Sequence, residues 1–406
     1  MDYSKIYAST QQAKQILEDI AHVTPLDHST TFSRMANGEV HLKQENLQKT
    51  GSFKVRGATY AISQLEDKEK ESGVIAASAG NHAQGVAYAA SRLGIRSTIV
   101  MPKFSPIAKI NATRGYGAKV VLHGEVFDDA LAHAKKTAEQ TGATFIHPFD
   151  SEDVIAGQGT IGLEILEKLP DVDVVAVPVG GGGLVSGISI AIKETNPDVE
   201  IYGVEAEKAA AMHKSLKQGE VSAVTGMDTF CDGIAVKSPA PRTIQICKDL
   251  LEDVVTVSEL QVSRTLFHLL ERAKIVVEPA GAVGLAAIQH GQIDVDGQKA
   301  VAVLSGGNIE MYLISKLVSK ELFRLGRNIR LKGVVKDRIG VLNKVLEIVA
   351  ASGVNIVEIT HDRSDPDIEP NKAEIILTLE VPDEEAMTQL LTTMESNGFK
   401  FQVYED

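Results

Sequence analysis

The sequence predicts an α/β protein with two lobes built on parallel sheets, followed by a small ferredoxin-like β-α-β-β-α-β sandwich. Three observations carry this. From residue 73 onward, short apolar runs alternate with amphipathic stretches, as buried parallel strands joined by helices do. The alternation pauses near Asp150 and resumes, which separates two lobes. After a basic stretch, RLGRNIR at 324–330, the order changes to strand, helix, strand, strand, helix, strand.

Taken in order, a helix over 9–21 and an extended segment over 40–43 precede the stretch ENLQKTGSFKVRGA (45–58). In the first lobe, strands at 74–77, 97–101, 119–122 and 144–147 alternate with helices at 82–93, 106–116 and 128–140, and Pro102 stops the second strand. In the second lobe, a helix at 154–169 leads to a strand at 174–179, a helix at 184–194, a strand at 200–204 and a helix at 209–217. A strand at 254–257, helices at 259–272 and 280–289, a strand at 300–304 and a closing helix at 309–325 follow. Loops at the carboxyl ends of the strands are expected to line a cleft. The tail reads as strands at 329–335, 355–361, 374–379 and 399–404 with helices at 341–351 and 384–397, and a polar loop, RSDPDIEPN, in the middle. The expected organisation is a main domain over 1–325 with a smaller lobe of about 49–150 inserted, a linker over 326–330, and a separate small domain over 331–406.

Composition narrows the function. Hydrophobic content of 44% and charged content of 23% suit a globular protein with a sizeable core. A net charge of −13 argues against nucleic acid and anionic membrane as partners. The start, MDYSKIYAST, has no apolar segment of the secretory type, and no apolar run is long enough to span a bilayer. Cys231 and Cys247 are the only cysteines, which suits reduced thiols in a cytoplasmic protein. The 11 histidines form no zinc-like pair, so no metal is expected.

The chemistry is sought at Lys54. A lysine just inside a helix, behind Gly51 and Ser52 and before apolar Val55, either finds a partner or loses its proton, and a neutral amine attacks carbonyls. A solvated helix lysine is the plain alternative. Three glycine-rich turns, each after an apolar run, favour the first reading. In VGGGGL (179–184) the glycines of a strand-to-helix turn let backbone N–H groups close on an anion such as a phosphate. The competing reading there is a dinucleotide fingerprint formed by Gly181, Gly183 and Gly187 with Glu205 beyond. In ASAGNH (77–82), Ser78, Gly80 and the N–H groups of Asn81 and His82 form a small anion nest suited to a carboxylate, and the Asn81 amide can donate to an aromatic oxygen. An N-cap serine with a turn asparagine is the alternative. In SGGN (305–308), Ser305 can meet a heteroaromatic nitrogen or cap a helix. Together these describe a pocket for an anionic aromatic aldehyde.

SFKVRGA, ASAGNHAQG, VGGGGL and SGGN resemble the motifs of pyridoxal-phosphate enzymes of the fold type II, tryptophan synthase β class. VTPL, MPKFSPIAKINATRGYGA, HPFD, GQGTIGLEIL, DGIAV and VEPAGA extend the likeness, and within the class residues 1–325 are most similar to the threonine dehydratases, or threonine ammonia-lyases. The resemblance implies pyridoxal 5'-phosphate held covalently on Lys54, with Phe53 on a ring face and Asn81 donating to the ring oxygen. It implies Gly180, Gly181, Gly182, Gly183 and Leu184 around the phosphate, Ser305 at the pyridine nitrogen, and Ser78, Gly80, Asn81 and His82 around an amino-acid carboxylate. The implied reaction is β-elimination, from threonine to 2-oxobutanoate and ammonia and from serine to pyruvate. Serine racemases of the class carry a serine where this chain has Ala79, so little racemisation is expected. Their cation site is matched by Glu205, but its second acid is matched by Ala211. Cysteine synthase or threonine synthase chemistry, and an inert sensor on the same scaffold, are the competing readings.

Residues 331–406 resemble an ACT domain, which implies regulation through an amino-acid or nucleotide effector and a homodimer or homotetramer. By that likeness Asp337, Gly340 and Asn355 hold the effector. The alternative is a dimerisation module in which Gly340 only turns the chain.

Overall fold

The strands Val174–Pro178 and Lys299–Val303 are apolar and almost wholly buried, so helices must cover both their faces. They form the centre of a six-stranded sheet in the computed structural model, which describes residues 2–404. The order across this sheet is Leu26–His28, Glu39–Lys43, Lys299–Val303, Val174–Pro178, Glu200–Ala206, Asp253–Val257. Only the outermost pair, Leu26–His28 with Glu39–Lys43, is antiparallel. A second, wholly parallel sheet has the order Lys119–Leu122, Ser97–Met101, Val74–Ala77, Thr144–Phe145. All its strands lie within one segment, which is inserted between strands of the larger sheet, as the two-lobed reading expects.

Helix packing is close where the chain has glycine. A Cβ on Gly187 would stand 2.3 Å from the carbonyl oxygen of Ile155, and one on Gly157 2.6 Å from Cα of Gly57. The helices Glu152–Lys168, Gly183–Lys193 and Lys54–Ser63 therefore meet backbone to backbone. GQGTIGLEIL is a packing surface as much as a motif. Beneath it lies a buried ionic cluster. Arg56 donates to Glu45 at 2.8 Å and to Glu164 at 2.6 Å, and Lys43 donates to Glu164 at 2.5 Å. Two cations face two carboxylates, so the buried charge balances, and each group is hydrogen-bonded.

Several elements differ from expectation. The first helix is Tyr3–Leu17, capped by Asp2, and ends before 21. Helices Thr30–Ala36 and Pro241–Leu250 were not foreseen. The strand expected at 144–147 stops at Phe145, because Nδ1 of His147 accepts the N–H groups of Phe149 and Asp150 and turns the chain.

Residues up to Glu310 form one compact unit and the chain from Met311 a second. The helix Met311–Arg324, expected to close the main domain, belongs to the second unit. The strand Asn328–Lys336 begins inside the stretch read as a linker. The second unit carries an antiparallel sheet in the order Asn355–Asp362, Lys372–Glu380, Asn328–Lys336, Phe401–Val403, with helices Val341–Ala351 and Glu384–Ser396, the ferredoxin-like pattern.

Candidate active site

The segment between Glu39–Lys43 and Lys54 is laced to the end of the last strand of the large sheet. Asn46 N–H donates to Leu304 O at 2.9 Å, Gly307 N–H to Gly51 O at 2.8 Å, and Phe53 N–H to Ser305 O at 3.1 Å. Gly51 has φ +72°, and a Cβ there would lie 2.4 Å from Oδ1 of Asn308, so both conformation and space require glycine. The helix Lys54–Ser63 starts at the lysine itself. Nζ of Lys54 donates to the carbonyl of Pro148 at 3.0 Å and stands 5.1 Å from the centre of the Phe53 ring. Burial pushes this amine down to about 8, against the opposing pull of the Glu278 carboxylate. A solvated lysine would not meet this environment.

The glycine turn leaves the strand Val174–Pro178 and opens the helix Gly183–Lys193. Gly182 has φ +89°, and a Cβ on Gly181 would enter the Phe149 ring at 2.3 Å. None of the N–H groups of Gly180, Gly181, Gly182, Gly183 and Leu184 donates to an acceptor among the described residues. Unpaired donors at the amino end of an 11-residue helix form a cradle with positive potential. It fits a phosphate. Phe149 and Pro148 are neighbours, so the cradle and the lysine amine rest on the same HPFD stretch.

The second turn does not follow the capping alternative. Oγ of Ser78 accepts the N–H of Gly80 at 3.1 Å, and Gly80, not Ser78, precedes the helix Asn81–Arg92. The N–H groups of Asn81, His82 and Ala83 find no acceptor among the described residues. The His82 ring is buried, with Nε2 2.9 Å from Ile146 O, and burial with the nearby Lys54 charge pushes it down to about 3. His82 is therefore neutral, and its backbone N–H is the group open to an anion. The Asn81 amide donates through Nδ2 to Glu278 Oε1 at 2.7 Å and accepts at Oδ1 from Asn308 Nδ2 at 2.7 Å.

Ser305 is 3% exposed and no cap, since the next helix starts at Met311. Its hydroxyl has no partner among the described residues. Phe53 is thus bonded to Ser305, and Lys54 and the glycine turn both meet the Pro148–Phe149 stretch. Glu205 is committed elsewhere: it accepts the N–H groups of Met212 at 2.9 Å and His213 at 2.8 Å, at the start of the helix Ala211–Gln218, and burial pushes it up to about 7. In the second unit, Gly340 has φ +84° ahead of its helix and Asp337 pairs with Arg363. Asn355 sits opposite Glu380, at the other end of the sheet from Lys336 and the turn that follows it.

Glu278, Asn308 and Phe149 were not read as site residues from sequence. For Glu278 a signal existed: an acid between Val277 and Pro279, in an otherwise apolar stretch opening a helix, is not a surface residue.

A family model described as pyridoxal-phosphate dependent enzyme matches residues 17–306, and one for the ACT domain matches residues 331–399. The chain is 46% identical to the L-threonine ammonia-lyase of Thermotoga maritima, over 97% of this chain and 98% of that protein. Among solved structures it resembles the processed form of threonine deaminase isoform 2 from Solanum lycopersicum. The TM-score is 0.76 and the identity 37%, over 80% of this chain and 90% of the other. It also resembles maize serine racemase, with a TM-score of 0.74 and 32% identity, over 79% of this chain and 98% of the other.

Proposed function

The chain belongs to the pyridoxal-phosphate dependent enzymes, and on that premise we propose that it is a threonine ammonia-lyase, converting L-threonine to 2-oxobutanoate and ammonia and L-serine to pyruvate. The observation that carries this is the buried Lys54 amine, pushed down to about 8 and bonded to Pro148 O, together with the unpaired N–H groups at the starts of the helices Asn81–Arg92 and Gly183–Lys193.

Gly180–Leu184 would hold the cofactor's phosphate, Phe53 would pack on the ring, Asn81 would donate to the ring oxygen and Ser305 would meet the ring nitrogen with a neutral hydroxyl. When bound, pyridoxal phosphate supplies the electron sink for the pair left on Cα. The Asn81–Ala83 helix end, with Ser78 and Gly80, orients the substrate carboxylate. Lys54, whose amine burial pushes down to about 8, takes the α-proton in its neutral form and hands a proton to the departing β-hydroxyl. Hydrolysis of the released enamine restores the water lost and frees ammonia. Ala79 offers no proton to the opposite face. Steady release of 2-oxobutanoate from threonine by purified protein tests the reading; its absence refutes it.

Regulation through the ACT domain is part of the proposal. Lys336, which leads into the Gly340 turn, lies eight residues along its strand from Asn328, the position level with Asn355, about 26 Å at a rise of ~3.3 Å per residue. An effector held by both Gly340 and Asn355 then needs two copies of the chain, hence at least a homodimer. An amino acid is the favoured effector, and the setting is cytoplasmic. Among the described residues no helix is long and apolar enough to cross a membrane. Initial rates with branched-chain amino acids and AMP test the regulation.

A further inference from the structure

We propose that Glu278 is a positioning residue whose ionised carboxylate sets the direction of the amide chain Asn308–Asn81–Glu278, and so decides which group Asn81 presents to the cofactor ring. This deepens the reading of Asn81 given above and rests on it.

Glu278 is 6% exposed and precedes the helix Pro279–Gln289. Its carboxyl is enclosed: a Cβ on Gly306 would lie 2.3 Å from Oε1, and one on Gly233 3.4 Å. The groups that reach it are donors, namely Asn81 Nδ2 at 2.7 Å and the backbone N–H of Asn308. Asn308 Nδ2 uses one hydrogen on Thr50 O at 2.9 Å and the other on Asn81 Oδ1 at 2.7 Å. That leaves Asn81 one orientation. Turned over, its NH2 would face the NH2 of Asn308. An ionised Glu278, an acceptor with no proton of its own, receives both donors without conflict. A protonated carboxyl still accepts at one oxygen, but it loses the charge and carries a proton that neither donor can take, so its hold on the Asn81 amide weakens.

The titratable groups around Glu278 come from three elements. Asp232, on the turn Asp232–Ile234, repels it. Lys109, on the helix Ile107–Gly115, lies 3.2 Å from Asp232 and 3.8 Å from Glu310 and favours ionisation. The Lys54 amine acts in the same sense, and the Cys231 thiol, itself pushed up by burial, stays neutral. Burial first, and Asp232 next, push Glu278 up to about 7, so the anchor weakens just below neutrality.

The test compares wild type, Glu278→Gln and Glu278→Ala. For the holoenzyme, kcat/KM on threonine is measured from pH 5.5 to 9. Wild type is expected to fall on the acid side of about 7. Glu278→Gln keeps an acceptor for Asn81 but turns an N–H toward Asn308. It should sit about tenfold lower at pH 8 and lose the acid limb. Glu278→Ala should fall about a further tenfold at every pH. A merely structural glutamate would lower all values alike and leave the limb in the glutamine variant, and that result overturns the proposal. The second readout needs no cofactor. The folded apoprotein holds this proton above the unfolded value of 4.5, so wild type should lose melting temperature relative to Glu278→Gln as pH rises from 4.5 through about 7. A gap that does not change with pH overturns the proposal too. Absence of threonine activity in wild type at every pH would instead strike the reading of the reaction, and the melting comparison would still decide the ionisation.

Discussion

The N–H of Phe53 donates to the carbonyl of Ser305 at 3.1 Å, so the residue before Lys54 is tied to the chain just past the strand Lys299–Val303 of the large sheet. The buried Ser305 hydroxyl therefore stands at a fixed place relative to Lys54. Ser305→Ala should lower kcat on threonine by less than about tenfold, whereas Ser305→Asp, which puts a charge at a 3% exposed position, should lower it by about a hundredfold or more. Steady-state rates with the cofactor absorbance as a loading control check this.

Ala79 lies in the turn between Ser78 and Gly80 and carries no hydroxyl. Wild type should form no appreciable D-serine from L-serine. Ala79→Ser should form it measurably while pyruvate release falls. Chiral chromatography of the products decides the matter, and D-serine from wild type would contradict the assignment.

Gly181 faces the Phe149 ring, and an alanine Cβ would lie 2.3 Å from it. Gly181→Ala should displace the HPFD stretch on which Lys54 rests. We expect a loss of about 1–3 kcal/mol of stability from the overpacking and weaker retention of pyridoxal phosphate on dialysis. Retention equal to wild type would argue against the cradle.

The buried cluster predicts a stability effect away from the chemistry. Glu164→Leu removes the shared carboxylate of Arg56 and Lys43 and should cost about 3–5 kcal/mol in denaturant unfolding. Burial would raise Glu45, but the Arg56 guanidinium, with Lys43 and Thr24, outweighs it and holds Glu45 below the ordinary range. Its folded value lies under its unfolded one, so its contribution is present above about 4.5 and is lost as pH falls through the folded value. Wild type should lose this stabilisation in acid, and Glu45→Gln should show a shallower acid slope.

The sheets and the three turns were legible because buried strands leave unbroken apolar runs, and because glycine clusters after them have few other uses. Lys54 was legible from its neighbours. What escaped depends on contacts distant in sequence. Glu278 meets Asn81 across 197 positions, and Arg56 meets Glu164 across 108. A carboxylate at either place looks like any surface acid until the partner arrives. The helix Pro241–Leu250 escaped for a local reason: few apolar residues mark its buried stripe, though Pro241 at its first turn was a signal.

The most direct test is chemical. Borohydride reduction of the holoprotein, followed by proteolysis and mass mapping, should place one pyridoxyl group on Lys54, in the peptide that begins after Lys49, and Lys54→Ala should carry none. A pyridoxyl group on another lysine, or no label in a protein that still releases 2-oxobutanoate from threonine, would contradict the account.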